Sequence, residues 1–140
     1  MRTTMRNFGT ICMLFCLSVL FNGCSNTSSK GKEVANQEQV ALAESLLLNF
    51  QQEQFDKIVV HLDEKIKQQL NKEQLAVVWA QLNTQFGKYT KSEFYKAEKV
   101  NNVGDKVVYI CYFGSNKLYF QLLLGKENRV IGLFFTPQSN

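Results

Sequence analysis

The chain has few of the residues that most catalytic and metal sites require. Its 140 residues include one histidine, His61, and four cysteines, and they contain no GxGxxG or GxxxxGK motif. A structural zinc site uses several histidine or cysteine ligands, and a hydrolytic triad needs a nucleophile, a base and an orienting group. The sequence therefore gives no support to metal, nucleotide or triad chemistry. We expect no metal and no cofactor, and His61 is interpreted as an ordinary helical or partner-facing residue.

The cysteines are too few and too unevenly placed for a disulfide framework. Cys12 and Cys16 lie in an apolar N-terminal leader, Cys24 follows Gly23, and Cys111 lies in a distant apolar run. If the leader is removed and Cys24 carries a lipid, Cys111 has no cysteine partner, although exported proteins meet oxidising conditions. We predict that Cys111 is buried and packs as a small apolar side chain.

The N-terminal leader combines a positive start, an apolar run and a small residue before a cysteine. Arg2 and Arg6 precede the run from Phe8 to Phe21, which continues into Asn22-Gly23-Cys24. The run is shorter than the roughly 20 apolar residues of a spanning helix. A charged n-region, a short apolar region and a small residue at the cleavage point are typical of a secretory signal peptide. The segment ending in Cys24 resembles a bacterial lipobox, with Phe21 where leucine is usual.

These features predict cleavage before Cys24 and lipidation of its thiol. Residues 1–23 are then a lipoprotein signal peptide, and the membrane partner is reached through the lipid anchor. The predicted location is the bacterial cell envelope, facing away from the cytoplasm. The residue after the cysteine is Ser25 and not the aspartate that signals retention in an inner membrane, which favours an outer membrane where one exists. An uncleaved anchor and a secreted protein cut elsewhere are the alternatives. Because the leader carries two of the positive charges, the formal net charge of +4 overstates that of the mature chain, and no nucleic-acid partner is predicted.

The remainder divides into a linker and one domain. Residues 24–37 follow with small and polar side chains after Cys24, a composition typical of a flexible tether. Residues 38–140 then form a single domain of ordinary size.

Three helical patterns open this domain, because apolar residues recur three and four positions apart. They are residues 38–52, residues 55–70 and the stretch between Asn71 and Gly87. The β-branched run Ile58-Val59-Val60 predicts a bend in the second helix. Asn71 and Gln74 have the spacing of a capping box, and Gly87 is placed to end the third helix in the αL conformation.

After Gly87 the apolar period changes from helical to alternating. Four strands are predicted, at residues 89–100, 106–113, 118–124 and 130–136. The short polar turns between them join antiparallel neighbours. The predicted fold class is α+β, with three N-terminal helices packed on one face of a curved four-stranded antiparallel meander sheet.

The sheet is predicted to be apolar on both of its faces. In the fourth strand, Ile131, Leu133 and Phe135 are expected to face the helices. On the opposite face we predict an interface formed by Ile110, Tyr112, Tyr119, Leu123 and Phe134. Because a monomer rarely leaves a large apolar patch exposed, the predicted partner is a second copy or another envelope protein. Scattered, tolerated surface aromatics are the alternative interpretation.

A family resemblance covers nearly all of the mature chain, about residues 38–137. Its specific parts are Trp79 with Phe86-Gly87 and the last strand from Val130 to Pro137. These segments resemble an uncharacterised bacterial family, the one numbered 3887 among domains of unknown function. That family looks like a member of the cystatin-like, nuclear-transport-factor-2-like superfamily. The resemblance implies helices wrapped by a curved sheet around a cone-shaped cavity, and dimers through the sheet; it supplies no catalytic residues.

Two functions follow as expectations, and the residues favour the first without deciding whether the protein is an enzyme. The first is a non-catalytic binding or protein-interaction module on a lipid anchor. The second is a pocket for a small apolar ligand, with the isomerase- or hydratase-like activity that the superfamily resemblance implies. The predicted pocket walls are Trp79, Phe86 and Tyr109, and the candidate acid or base is Glu93 or Glu98. Such catalysis requires a buried carboxylate beside the cavity.

Overall fold

The computed structural model describes residues 36–138, in which four α-helices precede a four-stranded sheet. The helices are α1 (Gln37–Gln51), α2 (Phe55–Val59), α3 (Glu64–Lys67) and α4 (Lys72–Phe86). The strands are β1 (Tyr89–Val100), β2 (Gly104–Phe113), β3 (Asn116–Leu124) and β4 (Val130–Pro137), with a 3-10 turn at Lys126–Asn128. The predicted signal peptide, the lipidation site Cys24 and the linker up to residue 35 lie outside the described residues.

The two long helices begin at polar caps and bury one apolar side each. In α1, the Asn36 side chain accepts a hydrogen bond from the backbone N–H of Glu38 at 3.2 Å. The predicted capping box of α4 is confirmed: the Gln74 N–H donates to Asn71 Oδ1, and the Asn71 N–H donates to Gln74 Oε1, both at 2.9 Å. Each bond satisfies an N–H that has no partner within the helix. The apolar sides of both helices then pack on the sheet.

The glycine that ends α4 has a different conformation from the one predicted. Gly87 has φ 98° and ψ 173°, which is the glycine-only extended region and not αL. A Cβ atom at Gly87 would lie 3.1 Å from the Cα of Gly114. The residue therefore allows the end of α4 to lie directly against the turn between β2 and β3.

The prediction of one helix over residues 55–70 is wrong, because the chain forms the two short helices α2 and α3 there. Between them, the Val130 N–H donates to the His61 carbonyl at 3.0 Å, and the Asp63 N–H donates to the Val130 carbonyl at 2.8 Å. Leu62 thereby forms a parallel bridge with Val130. The start of β4 thus forms hydrogen bonds with the backbone groups of His61 and Asp63, which a continuous helix would have paired within itself. Asp63 then caps α3 by accepting from the Lys65 N–H at 3.0 Å.

The four strands form an antiparallel sheet in the order β1-β2-β3-β4, which confirms the predicted meander. The pairing register shifts in β1, between Tyr89 and Lys91 and between Phe94 and Lys96. It shifts again where β4 pairs with the end of β3. An extra residue of this kind reverses the alternation of side chains beyond it.

The shift in β4 corrects one of the predicted core positions. Leu124 pairs with Val130 while Leu123 pairs with Gly132, so Ile131 is the additional residue. Val130 is consequently fully buried, whereas Ile131 is only half-buried. Strict alternation had placed Ile131 in the core instead of Val130.

Aromatic rings occupy the space between the helices and the sheet. Phe50 of α1 is fully buried, and its ring centroid lies 5.2 Å from Trp79, 5.5 Å from Phe135, 6.1 Å from Phe55 and 6.4 Å from Phe120. Edge-to-face and tilted contacts at such distances stabilise a core beyond the effect of apolar burial alone. Phe50 therefore joins α1, α2, α4 and both C-terminal strands.

Candidate functional site

The face of the sheet that points away from the helices is called the outer face here. Residues paired across neighbouring strands share a face, so the register divides the outer face into four rows that run across the strands. The first row is Lys91, Tyr112 and Lys117; the second is Glu93, Ile110, Tyr119 and Thr136; the third is Lys96, Val108, Gln121 and Phe134; the fourth is Glu98, Lys106, Leu123 and Gly132.

One charged cluster lies at the β1 end of the first two rows. Lys91 Nζ donates to Glu93 Oε1 at 2.6 Å, and the Tyr112 hydroxyl donates to Glu93 Oε2 at 2.8 Å. The Lys91 ammonium also lies 4.5 Å from the centroid of the Tyr112 ring, and Lys117 lies 5.5 Å from it. The hydrogen bonds from Lys91 and Tyr112 lower the pKa of Glu93, so this carboxylate is ionised at neutral pH.

A second charged cluster lies at the β1 end of the last two rows. Glu98 Oε2 accepts from Lys96 at 2.8 Å, and Glu98 Oε1 lies 2.5 Å from Lys106 Nζ. The hydrogen bonds from Lys106 and then Lys96 lower the pKa of Glu98. Both glutamates of β1 are therefore anions held by lysines at the edge of the outer face.

The middle of the outer face is apolar and aromatic. Tyr95 lies at the register shift in β1, and its ring centroid is 5.5 Å from that of Tyr119 on β3. The two rings meet across β2, where Val108 is only 3% exposed. Tyr95 itself is 51% exposed and Phe134 is 52% exposed. These two rings thus present apolar surface to solvent near the centre and the far edge of the face.

Gly132 makes room for the exposed ring of Phe134. A Cβ atom at Gly132 would lie 2.8 Å from Cε2 of Phe134 and 3.3 Å from Cβ of Leu123. The Phe134 ring therefore rests on the backbone of the fourth row. An adjoining groove of about 270 Å³ is lined by Tyr95, Lys96, Lys106, Val108, Tyr119 and Gln121.

The five residues predicted to form an interface all lie on the outer face. Ile110, Tyr112, Tyr119 and Leu123 are half-buried and Phe134 is exposed. The structure thus brings them onto one surface, and their role as an interface stays a prediction.

The residues predicted to form a pocket are separated by the sheet. Trp79 and Tyr109 are buried on the inner side, and Phe86 packs against the same core. Glu93 and Glu98 lie on the outer face, so the expected grouping of carboxylates with these aromatics is not formed. Strict alternation along β1 would have put Glu98 on the side of the inward-facing Phe94, and the register shift at Tyr95 turns it outwards.

A different carboxylate reaches the inner tyrosine. The Tyr109 hydroxyl donates to Glu44 Oε1 of α1 at 3.0 Å. Burial, with this bond and the charge of Glu44, raises the pKa of Tyr109. Glu44 is exposed, and sequence inspection missed it because the contact depends on how α1 crosses β2. Tyr95 was also missed as an outer-face residue, since its position depends on the register shift.

Trp79 also lines a surface cleft beside α4. This cleft has a volume of about 420 Å³ and is lined by Gln51, Glu53, Phe55, Ala76, Trp79, Ala80, Asn83, Lys88 and Tyr89. A second cleft of about 410 Å³ shares Glu53, Phe55 and Ala76 with it. Neither Phe86 nor Tyr109 belongs to these linings.

Two further findings concern the described residues only. Across residues 36–138, no group of three or more histidine, cysteine, aspartate or glutamate residues is placed to hold a metal ion. Within the same span, no helix combines the length and apolar character needed to cross a bilayer. His61 follows α2, where it is half-buried and its carbonyl pairs with Val130.

Comparison of the sequence with known proteins identifies the family of this chain. No curated protein and no solved structure matches it. The model of one family, described as a protein of unknown function (DUF3887), matches residues 43–133. The match begins within α1 and ends within β4, so it covers most of the helical layer and nearly the whole sheet. The chain therefore belongs to the DUF3887 family.

Proposed function

We propose that this protein is a membrane-anchored lipoprotein carrying a non-catalytic interaction module, which docks a protein partner through the outer face of its sheet. One observation carries the proposal: exposed aromatic rings occupy the centre and far edge of a face whose other edge is lined by ion pairs. Protein interfaces typically combine aromatic anchors with a polar rim. The outer face has both parts on one surface.

The chemistry of the same face favours docking over catalysis. A general acid at neutral pH needs a raised carboxyl pKa, but that of Glu93 and Glu98 is lowered. Both carboxylates also lie among lysine ammonium groups, which stabilise the anion. Glu44 near Tyr109 is exposed, so it is not the buried carboxylate that an isomerase- or hydratase-like site would need.

The proposed anchor is a lipid on Cys24, joined to the domain by a short polar tether. Gln39 Nε2 donates to Asp105 Oδ2 at 2.7 Å and to Asn128 Oδ1 at 3.0 Å, which fixes the start of α1 beside the β1–β2 and β3–β4 turns. Fully extended, the residues between Cys24 and α1 would reach roughly 40 Å. This length would leave the outer face accessible to another protein of the same membrane.

We also propose that the domain is a member of the cystatin-like, nuclear-transport-factor-2-like superfamily. The order of helices followed by a four-stranded antiparallel meander supports this assignment.

Docking is tested by acetylating the full-length protein in native membranes and quantifying the reaction at each lysine by mass spectrometry. Phe134→Glu places a charge on the apolar part of the outer face and should increase acetylation of Lys91 and Lys117 if a partner covers them. Val77→Glu is the matched control, because Val77 is 56% exposed on α4 and Phe134 is 52% exposed. Equal acetylation in wild type and Phe134→Glu would contradict docking.

The anchor has its own test. Cys24→Ala should abolish incorporation of a labelled fatty acid and shift the protein out of the detergent phase in a partition assay. Cys16→Ala, in the same leader, should change neither result. A Cys24→Ala protein that still incorporates the label would overturn the assignment of the lipidation site.

A second candidate function is binding of a small apolar ligand in the cleft beside α4. The supporting observation is its volume of about 420 Å³ with Phe55, Trp79 and Ala80 in the lining, which lies within the usual range for ligand sites. A thermal-shift screen with apolar metabolites tests it. A ligand of this cleft should raise the Tm of wild type and not that of Ala80→Arg, which fills the cleft; a ligand that stabilises both proteins equally binds elsewhere.

A further inference from the structure

We propose that the cleft beside α4 binds a short peptide with free termini and an apolar side chain between them. This inference rests on the second candidate function, ligand binding in that cleft, and names the chemical class of the ligand. Three properties of the cleft carry it. A carboxylate and an ammonium lie towards opposite ends, an aromatic wall lies between them, and the length of the cleft matches two or three residues.

The two charged groups that line this cleft have no ion-pair partner within residues 36–138. Glu53 lies between α1 and α2, Lys88 lies between α4 and β1, and both are exposed. The ion pairs of the described part of the chain all involve other side chains. A ligand with an ammonium and a carboxylate would form a charge-assisted contact with each of them. A purely apolar ligand would form neither contact.

The charge around the cleft differs between its two ends. Glu53 also lines the adjoining cleft, together with Asp56. Lys72 and Glu73 line that cleft as well, but they form an ion pair at 3.8 Å. The Glu53 end therefore carries an excess of negative charge, whereas Lys88 makes the other end positive. Complementary charge favours one orientation of a peptide, with its N-terminus at Glu53 and its C-terminus at Lys88.

The separation of these ends fits a dipeptide or a tripeptide. Ala76 lines both clefts together with Glu53, and Lys88 follows Phe86, the last residue of α4, by two positions. From Ala76 to Phe86 the helix rises about 15 Å. Two or three extended residues span about 7–10 Å, and a hydrogen bond of about 2.8 Å at each terminus adds about 6 Å. A single amino acid of about 3.5 Å falls short of this length.

Aromatic and small side chains line the cleft between its ends. Trp79 is 5% exposed, and its ring centroid lies 5.4 Å from that of Tyr89. Phe55 is half-buried in the same lining, and the short side chain of Ala80 leaves the cleft open. An apolar side chain of the peptide would leave water when it packs on these rings. Gln51 also lines the cleft, and its amide can donate to and accept from a peptide group.

Hydrogen bonds fix the backbone beside both charged residues. Asn83 Oδ1 accepts from the Tyr89 N–H at 2.9 Å, which holds the segment containing Lys88 against the end of α4. Glu53 has φ 56°, and its N–H donates to the Phe50 carbonyl at 3.1 Å. Glycine is the usual residue in this conformation after a helix, so a carboxylate occupies a position that a glycine would fill more easily. Both charged side chains therefore start from fixed points at the cleft.

The fluorescence of Trp79 tests the proposal, because Trp79 is the single tryptophan and lines the cleft. The full-length protein in nanodiscs is titrated with the tripeptide alanyl-phenylalanyl-alanine. The same peptide is then used with an acetylated N-terminus, with an amidated C-terminus, and with both ends blocked. We expect saturable binding of the free peptide. Each singly blocked form should bind about tenfold more weakly or worse, because it loses one charge-assisted contact.

Substitutions assign each terminus of the peptide to its side chain. Glu53→Gln should weaken binding of the free peptide about tenfold and abolish the difference between the free and the acetylated peptide. Lys88→Met should do the same for the amidated peptide. Glu127→Gln is the matched control for the first change, because Glu127 is also exposed, has φ 54° and lies between β3 and β4. Lys99→Met, at an exposed position of β1, is the control for the second.

The outcomes separate this inference from the candidate function on which it rests. Equal binding of the free and the doubly blocked peptide would overturn the role of the charged termini. Equal effects of Glu53→Gln and Glu127→Gln would overturn the contact with the N-terminus. If no peptide binds, while an apolar metabolite raises the Tm of wild type and not that of Ala80→Arg, only the peptide is overturned. Absence of both responses would overturn ligand binding in this cleft.

Discussion

Replacing Phe50 by alanine should remove the side chain on which the core is centred. Phe50 is fully buried and contacts four aromatic rings from α2, α4, β3 and β4. Truncation of a buried phenylalanine to alanine costs about 3–5 kcal/mol, through lost apolar transfer and the cavity left behind. A domain of this size has a total stability of about 5–15 kcal/mol. Phe50→Ala should therefore remove a large share of the domain's stability.

Urea denaturation followed by tryptophan fluorescence measures this loss. Trp79 is the single tryptophan, is 5% exposed, and its ring lies 5.2 Å from Phe50. With a slope of about 2 kcal/mol per molar urea, the midpoint should fall by about 2 M. Leu48→Ala is the control on the same helix, since Leu48 is 50% exposed, and its cost should be about 0.5 kcal/mol. Similar losses for both variants would refute the placement of Phe50 at the centre of the core.

Three further predictions concern the capping box, a turn glycine and the buried thiol. Asn71→Ala should lower the denaturation midpoint by an amount equivalent to about 1 kcal/mol; an unchanged midpoint would contradict a stabilising cap. Gly104→Ala should cost more than Gly125→Ala in the same assay, because its φ is 151° and its Cβ would lie 1.9 Å from the carbonyl oxygen of Leu124; equal costs would argue against this close approach. Burial raises the pKa of Cys111 from 9.0 to about 12. The unfolded thiol thus ionises first, and stability should fall as pH rises from 9 towards 12; Cys111→Val should lose stability less steeply, and an identical pH dependence would contradict a buried thiol.

Local patterns predicted much of the secondary structure. The α4 capping box needs only Asn71 and Gln74, three residues apart, and the structure contains both of its hydrogen bonds. Alternating side chains and short turns likewise predicted the order of the four strands. The second predicted helix was wrong because β4, from the far end of the chain, pairs with Leu62 and interrupts it. The residues around Leu62 give no sign of this pairing, because the partner strand is distant in the sequence.

In the candidate site, too, local patterns predicted some positions and contacts between distant segments decided the others. The outer-face positions of Ile110, Tyr119 and Phe134 follow from alternation within their own strands. The outward position of Glu98 depends on a register shift that the sequence does not reveal. Glu98, predicted as a candidate acid beside the cavity, therefore lies on the outer face in an ion pair with Lys96. The Tyr109–Glu44 bond likewise depends on the crossing of α1 over β2.

The amino-acid sequence by itself determined what depends on neighbouring residues: the helix caps, the alternation of the strands, the meander order and family membership. The tertiary structure decided what depends on distant segments. It broke the second helix at the β4 contact, filled the interior with the rings around Phe50, and turned Glu93 and Glu98 to the same outer face. The physical reason is that hydrogen bonds of caps and turns join residues close in the chain, whereas register shifts and ring packing are set by the fit between separate elements.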